Sequence, residues 1–228
     1  MQTTLRRAGD SGLLIELADR IDPQVNARAI QIARVVEASG IAATDVVVGY
    51  RTVMVYVDPL APDAADVEPR LARILSTITE GSLEPGALKS VPVCYDGEYA
   101  PDLQDVASFA GVPPDEIAGR HAAREYRVYV VGFVPGWAYM ASVDDKIAAP
   151  RRASPRVRVP PGSVGIAAIQ TGIYPAGTPG GWNLIGRCPI KPYDPDRSEP
   201  FLFHAGDRVR FHRISASEYR ASTEWGDA

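Results

Sequence analysis

The sequence predicts a two-domain α+β chain, a small α/β domain followed by a β-barrel or sandwich. Three observations predict it. Strands alternate with amphipathic helices over the first 80 or so residues. The stretch Gly81–Ser90 (GSLEPGALKS) carries turn formers and no periodicity. Beyond Tyr126, helical spacing disappears and short extended runs alternate with turns. With 228 residues the chain can hold one large domain or two small ones. The boundary is placed in that stretch, between an α/β domain at residues 1–82 and a β-barrel domain at residues 88–228.

In the first domain, 12–17 is an apolar strand. Asp22-Pro23 supplies an N-cap and a first-turn proline, and Val25, Ala29, Ile32, Ala33 and Val36 follow at helical spacing until Ser39-Gly40. The β-branched runs 46–50 and 52–57 read as two short strands, a hairpin around Arg51. Val67, Leu71, Ile74, Leu75 and Ile78 mark a second helix whose stripe needs a sheet to cover. In the second domain, 91–95 is a strand, and Leu103, Val106, Ala107 and Ala110 form a short helix closed by Gly111. A further helix spans 113–124, and extended runs lie at 127–131, 156–159, 164–168 and 207–211. Residues 150–192 hold 8 prolines and 7 glycines, about twice the chain-wide frequency, without repeats or low complexity. Pro179-Gly180-Gly181-Trp182 reads as a rigid turn in which paired glycines give access to positive φ.

Composition narrows the function classes. A net charge of -4 removes the electrostatic driver for nucleic acid or anionic membranes. The longest nearly apolar run, 128–141, is broken by Gly132, Pro135 and Gly136 and is too short to span a bilayer. The N-terminus has no signal-peptide h-region, and two cysteines, Cys94 and Cys188, make no disulfide framework, so a cytoplasmic location is expected. Signatures for phosphate loops, dinucleotide loops, zinc sites and serine hydrolases are missing, and His121, His204 and His212 are scattered, so no metal site is expected.

One constellation carries chemistry. The segments GFVPGWAYM (132–140), PRRASPRVRVPPGSVGIA (150–167) and QTGIYPAGTPGGWNLIGRCP (170–189) interleave aromatic residues with arginines. Proline stiffens such segments and glycine opens them, which suits a preorganised pocket for a planar small molecule bearing a carboxylate that Arg can clamp. The alternative is a barrel whose aromatics are core and whose arginines are solvated. The substrate-binding candidates are Arg151, Arg156, Gln170, Tyr174 and Trp182. His121, at a helix end before the strand that leads into the Gly/Pro region, is the one catalytic candidate, with helix C-terminal capping as its other reading.

Together with VPVCYDGEYAPDLQDVA (91–107), these segments resemble the allophanate hydrolase subunit 1 family, the N-terminal half of the carboxyltransferase domain. That family includes the B-type subunit of 5-oxoprolinase and the histidine kinase inhibitor KipI. The resemblance covers nearly the whole chain, most specifically 91–211, although many relatives have GFPYL where this chain has Gly136-Trp137-Ala138-Tyr139-Met140. It implies a cyclophilin-like barrel after the α/β domain. It implies a non-autonomous subunit of a multi-component, ATP-dependent amidohydrolase, foremost 5-oxoprolinase, which opens 5-oxoproline to glutamate. ATP would then be used by the complex, since this chain has no nucleotide motif. The implied partners are a related second subunit, of the allophanate hydrolase subunit 2 type or the C-type of 5-oxoprolinase, and a third lactam-utilisation subunit. The alternatives are an allophanate hydrolase or urea carboxylase subunit and a KipI-like kinase inhibitor.

Overall fold

The computed structural model describes residues 3–79 and 86–225. The chain divides into two compact units, Met1–Pro85 and Gly86–Ala228. The first half of the expected linker, 81–85, lies outside the described residues. Its last three residues, Leu88 to Ser90, are not linker: they begin a strand, because they pair with residues 208–210 of the last strand.

The N-terminal unit runs β1 (Thr4–Arg7), β2 (Gly12–Glu16), α1 (Pro23–Ala38), β3 (Asp45–Val48), β4 (Thr52–Tyr56) and α2 (Ala64–Thr77). The strands form an antiparallel sheet in the order β1-β2-β4-β3. Asp22 caps α1 by accepting from the backbone N–H groups of Gln24 at 2.8 Å and Val25 at 3.2 Å, and Pro23 occupies the first turn. Val25, Ala29, Ile32, Ala33 and Val36 are all buried, as their spacing predicts, against Leu13, Ile15, Val53 and Val55 of the sheet. Strand β1 has no counterpart in the sequence reading.

The second unit runs β5 (Leu88–Cys94), α3 (Leu103–Ala110), α4 (Pro114–Ala122), β6 (Glu125–Val131), β7 (Ala138–Ala141), β8 (Arg156–Val159), β9 (Ser163–Ala167), β10 (Gln170–Ile173), β11 (Thr178–Gly180), β12 (Asn183–Arg187), β13 (Arg208–Ile214) and α5 (Ala216–Ser222). Seven strands close a barrel in the order β10-β7-β6-β13-β5-β12-β9, and β8 and β11 pair separately. The expected barrel is thus present. Only β13 and β5 run parallel, in a register that sets Phe211 beside Val91. The interior is filled by Val91, Val93, Val128, Met140, Ile166 and Phe211 among others. Gly111, with φ 65°, ends α3 in the left-handed conformation.

The Gly/Pro-rich region is less of a loop than its composition predicts, since it holds five of the strands. Gly186 lies inside β12, where a Cβ would stand 2.6 Å from a Val93 methyl carbon, so the absence of a side chain serves close packing across the barrel wall. Neither Gly180 nor Gly181 adopts the left-handed φ expected of the paired glycines. Gly180 is required for another reason: a Cβ there would run into the Tyr174 hydroxyl. Among the described residues, no helix is long and apolar enough to cross a membrane, and no three His, Cys, Asp or Glu side chains gather as a metal site.

Candidate functional site

The aromatic residues of the three segments converge. Trp137 precedes β7, Tyr139 lies on it, Tyr174 follows β10, and Trp182 precedes β12, so the barrel wall brings four side chains distant in sequence to one place. Trp137, 2% exposed, is the hub: its ring centroid lies 4.7 Å from that of Tyr174, 4.9 Å from Trp182 and 5.5 Å from Tyr139, each pair edge to face. That arrangement sets the positive ring edge on the negative ring face. The sequence alternatives of core and pocket therefore merge, because Trp137, Tyr174 and Trp182 are buried, Tyr139 is partly buried, and all four wall a cavity of about 170 Å³.

The cavity rim is made by Pro179, Gly180, Gly181, Phe133 and Arg151. Phe133 is 70% exposed and has φ 78°, an uncommon backbone conformation for a bulky residue. The Arg151 guanidinium carbon lies 6.0 Å from the centre of the Trp182 ring, within cation–π range. Burial raises the pKa of the Tyr174 hydroxyl, against the opposing effects of the Trp182 backbone and the Arg151 and Arg156 guanidiniums. Tyr174 thus keeps its proton at neutral pH and can donate it to an acceptor.

Arg156 does not line this cavity. Both its terminal nitrogens donate to Asp102, Nη1 to Oδ2 at 2.9 Å and Nη2 to Oδ1 at 2.7 Å. Arg152 Nη1 adds a third charged donor at 2.7 Å, and the Leu184 backbone N–H a fourth at 2.7 Å. Asp102 is 2% exposed, so the desolvation of its carboxylate is offset by four donors, two of them a bidentate fork. Sequence reasoning passed over Asp102, which the structure places at the N-cap position of α3. Its side chain caps nothing there and turns to the arginines.

Gln170 sits on β10 in register with Ala141 and Ala167 and is not a cavity residue. His121 is not one either. It is fully buried in the barrel interior, with Nδ1 2.7 Å from the Tyr95 hydroxyl, Nε2 2.9 Å from Thr171 Oγ1, and its ring stacked 4.7 Å from Phe211. Thr171 spends its single hydroxyl proton on the Gly165 carbonyl at 3.1 Å, so its oxygen accepts from His121. The proton of His121 is therefore on Nε2, and Nδ1 accepts from Tyr95. Both ring nitrogens are satisfied by the neutral form, and burial pushes the pKa down to about 3.

The sites reached through Asp102, Arg151 and the aromatic wall all fall in the part of the chain that comparison with known proteins covers. Residues 3–203 match the family model described as carboxyltransferase domain, subdomain C and D. The chain is 38% identical to the B-type subunit of 5-oxoprolinase from Bacillus subtilis (strain 168), over 96% of each chain. The crystal structure of TTHA0988 superposes with a TM-score of 0.81 at 36% identity, covering 93% of this chain and 41% of that longer one. The K. lactis urea amidolyase shares the fold, with a TM-score of 0.78 at 19% identity over 96% of this chain and 15% of its own. By sequence over most of its length and by architecture, this chain belongs to the carboxyltransferase domain, subdomain C and D, family.

Proposed function

We propose that the chain is the B-type subunit of a multi-component, ATP-dependent 5-oxoprolinase, a hydrolase that opens a cyclic amide C–N bond to yield glutamate. The observation that carries this reading is the likeness to the Bacillus subtilis 5-oxoprolinase protein over almost the full length of both chains. The cavity agrees with it. Arg151 offers a guanidinium to the substrate carboxylate, the Trp137, Tyr139 and Trp182 rings pack on a small ring, and the Tyr174 hydroxyl donates to the lactam carbonyl. ATP supplies the driving force for lactam opening. A cavity of about 170 Å³ does not fit a nucleoside triphosphate, and ATP handling falls to another subunit in this reading. The partners are a related second subunit and a third, lactam-utilising one, in the cytoplasm.

Reconstitution tests it. The chain co-expressed with its two partner subunits should convert 5-oxoproline to glutamate with ATP, and the chain alone should not. Arg151→Gln in the complex should lower kcat/KM by about 10- to 100-fold, the range of a lost charged hydrogen bond. A complex that hydrolyses allophanate or carboxylates urea while leaving 5-oxoproline untouched would overturn the assignment.

A further inference from the structure

We propose that Asp102 sets the charge of the cavity: by holding Arg152 and Arg156 it leaves Arg151, among the described residues, as the one guanidinium lining the cavity, with no carboxylate on it, which makes the site select a singly charged carboxylate over a dianion of similar size. The proposal rests on the reading of this cavity as the substrate site and adds the charge class that the site accepts.

Three arginines fall within six residues, 151 to 156, and without compensation they would form a site for a multiply charged anion. The fold prevents this. Asp102 takes a bidentate pair from Arg156 and one hydrogen bond from Arg152, and Asp105 stands 3.9 Å from Arg152, so two carboxylates balance two guanidiniums. Arg151 has the Trp182 ring in place of a carboxylate. Its position is fixed from both sides. The Pro150 carbonyl accepts from Asn183 Nδ2 at 2.8 Å, and the Arg152 backbone N–H donates to the Gly181 carbonyl at 2.8 Å, tying the segment to the strand that Trp182 precedes. Arg156, although off the cavity wall, still acts electrostatically on the Tyr174 hydroxyl, and it is the guanidinium that Asp102 holds in a bidentate pair. Asp102 is thus a positioning and charge-setting residue, without contact with the ligand.

The experiment titrates the full chain at low ionic strength with matched probes, 5-oxoproline and cyclopentanecarboxylate as monoanions and cyclopentane-1,2-dicarboxylate as the dianion, read by tryptophan fluorescence of the cavity wall. The wild type should bind the monoanions more tightly. Asp102→Asn should move the monoanion-to-dianion affinity ratio toward the dianion by about fivefold, the order of effect of one charge beyond contact range in an intermediate dielectric. Arg156→Gln should move it the other way, and the double variant should return it to the wild-type value. Added salt should shrink both shifts. A purely structural role for Asp102 would lower thermal stability and leave the ratio alone. An unchanged ratio in both single variants, a wild type that prefers the dianion, or a wild type that binds no carboxylate would each overturn the proposal. If Asp102→Asn does not fold, Arg156→Gln alone decides by the sign of its shift. Binding of cyclopentanecarboxylate with the expected charge preference, in a chain whose complex leaves 5-oxoproline intact, would sink the 5-oxoprolinase reading and leave this one standing.

Discussion

Lowering the pH should destabilise the barrel through His121, and the size of the effect follows from its surroundings. Folded, the imidazole is buried, neutral and hydrogen-bonded at both nitrogens, with a pKa of about 3. Unfolded, it returns to an ordinary value of about 6.5. Between these values the unfolded chain binds the extra proton, so stability is fully present above about pH 6.5 and falls as pH drops toward 3. At about pH 5 the loss from this one residue is roughly 2 kcal/mol relative to neutral pH. The assay is urea unfolding followed by tryptophan fluorescence, which reports the second unit because Trp137, Trp182 and Trp225 all lie in it. His121→Gln is the reference. It is less stable at neutral pH by roughly 1–3 kcal/mol, the cost of unpairing buried partners, and lacks the titration. Carboxylates elsewhere titrate in both proteins and cancel. The gap between the two should therefore shrink by about 2 kcal/mol on going to about pH 5. A gap that stays constant over that range would refute a buried neutral histidine.

Three substitutions test the cavity. Trp182→Ala removes a ring that is 3% exposed and packed on Trp137, and should cost about 3–5 kcal/mol in thermal or urea unfolding as well as ligand binding; a melting temperature within a degree or two of wild type would show the ring to be dispensable for packing. Gly180→Ala places a methyl group against the Tyr174 hydroxyl, and should lose roughly 1–3 kcal/mol of stability and weaken carboxylate binding in fluorescence titrations. Arg151→Gln, at an exposed side chain over the Trp182 ring, should leave stability within about 0.5–1 kcal/mol of wild type while weakening carboxylate binding by about 10- to 100-fold, measured by calorimetry on the same sample.

The helices and the alternating strands of the first unit are legible because each has one buried face, and a face leaves a period in the sequence. Strand β1 is the exception: Thr4, Arg6 and Arg7 are exposed at the sheet edge, so its sequence carries no apolar alternation. In the barrel, β10 and β12 are hidden by their glycines. A glycine in a sequence is the same letter whether it turns the chain or, as at Gly186, lets two strands approach, and only the partner Val93 distinguishes the cases.

The candidate site shows where sequence reasoning reaches and where it stops. The aromatic residues are recognisable because large rings in a Gly/Pro-rich setting have few alternatives, and Trp137, Tyr139, Tyr174 and Trp182 do converge. The arginines are not separable by type, since Arg151, Arg152 and Arg156 look alike until the fold delivers Asp102, some fifty residues upstream, to two of them. His121 did leave a signal. It stands four residues after Ile117 on α4, and Ile117, Ala118 and His121 are the residues which that helix buries. A histidine on the apolar face of a short helix is carried into the core by its neighbours. There a charge would have to be desolvated, so the neutral ring bridging Tyr95 and Thr171 is the form that the packing selects. The same physics separates the two polar centres of this unit. His121 lies where the interior excludes water and holds one protonation state. Arg151 lies on the rim, where its charge stays solvated and available to a ligand.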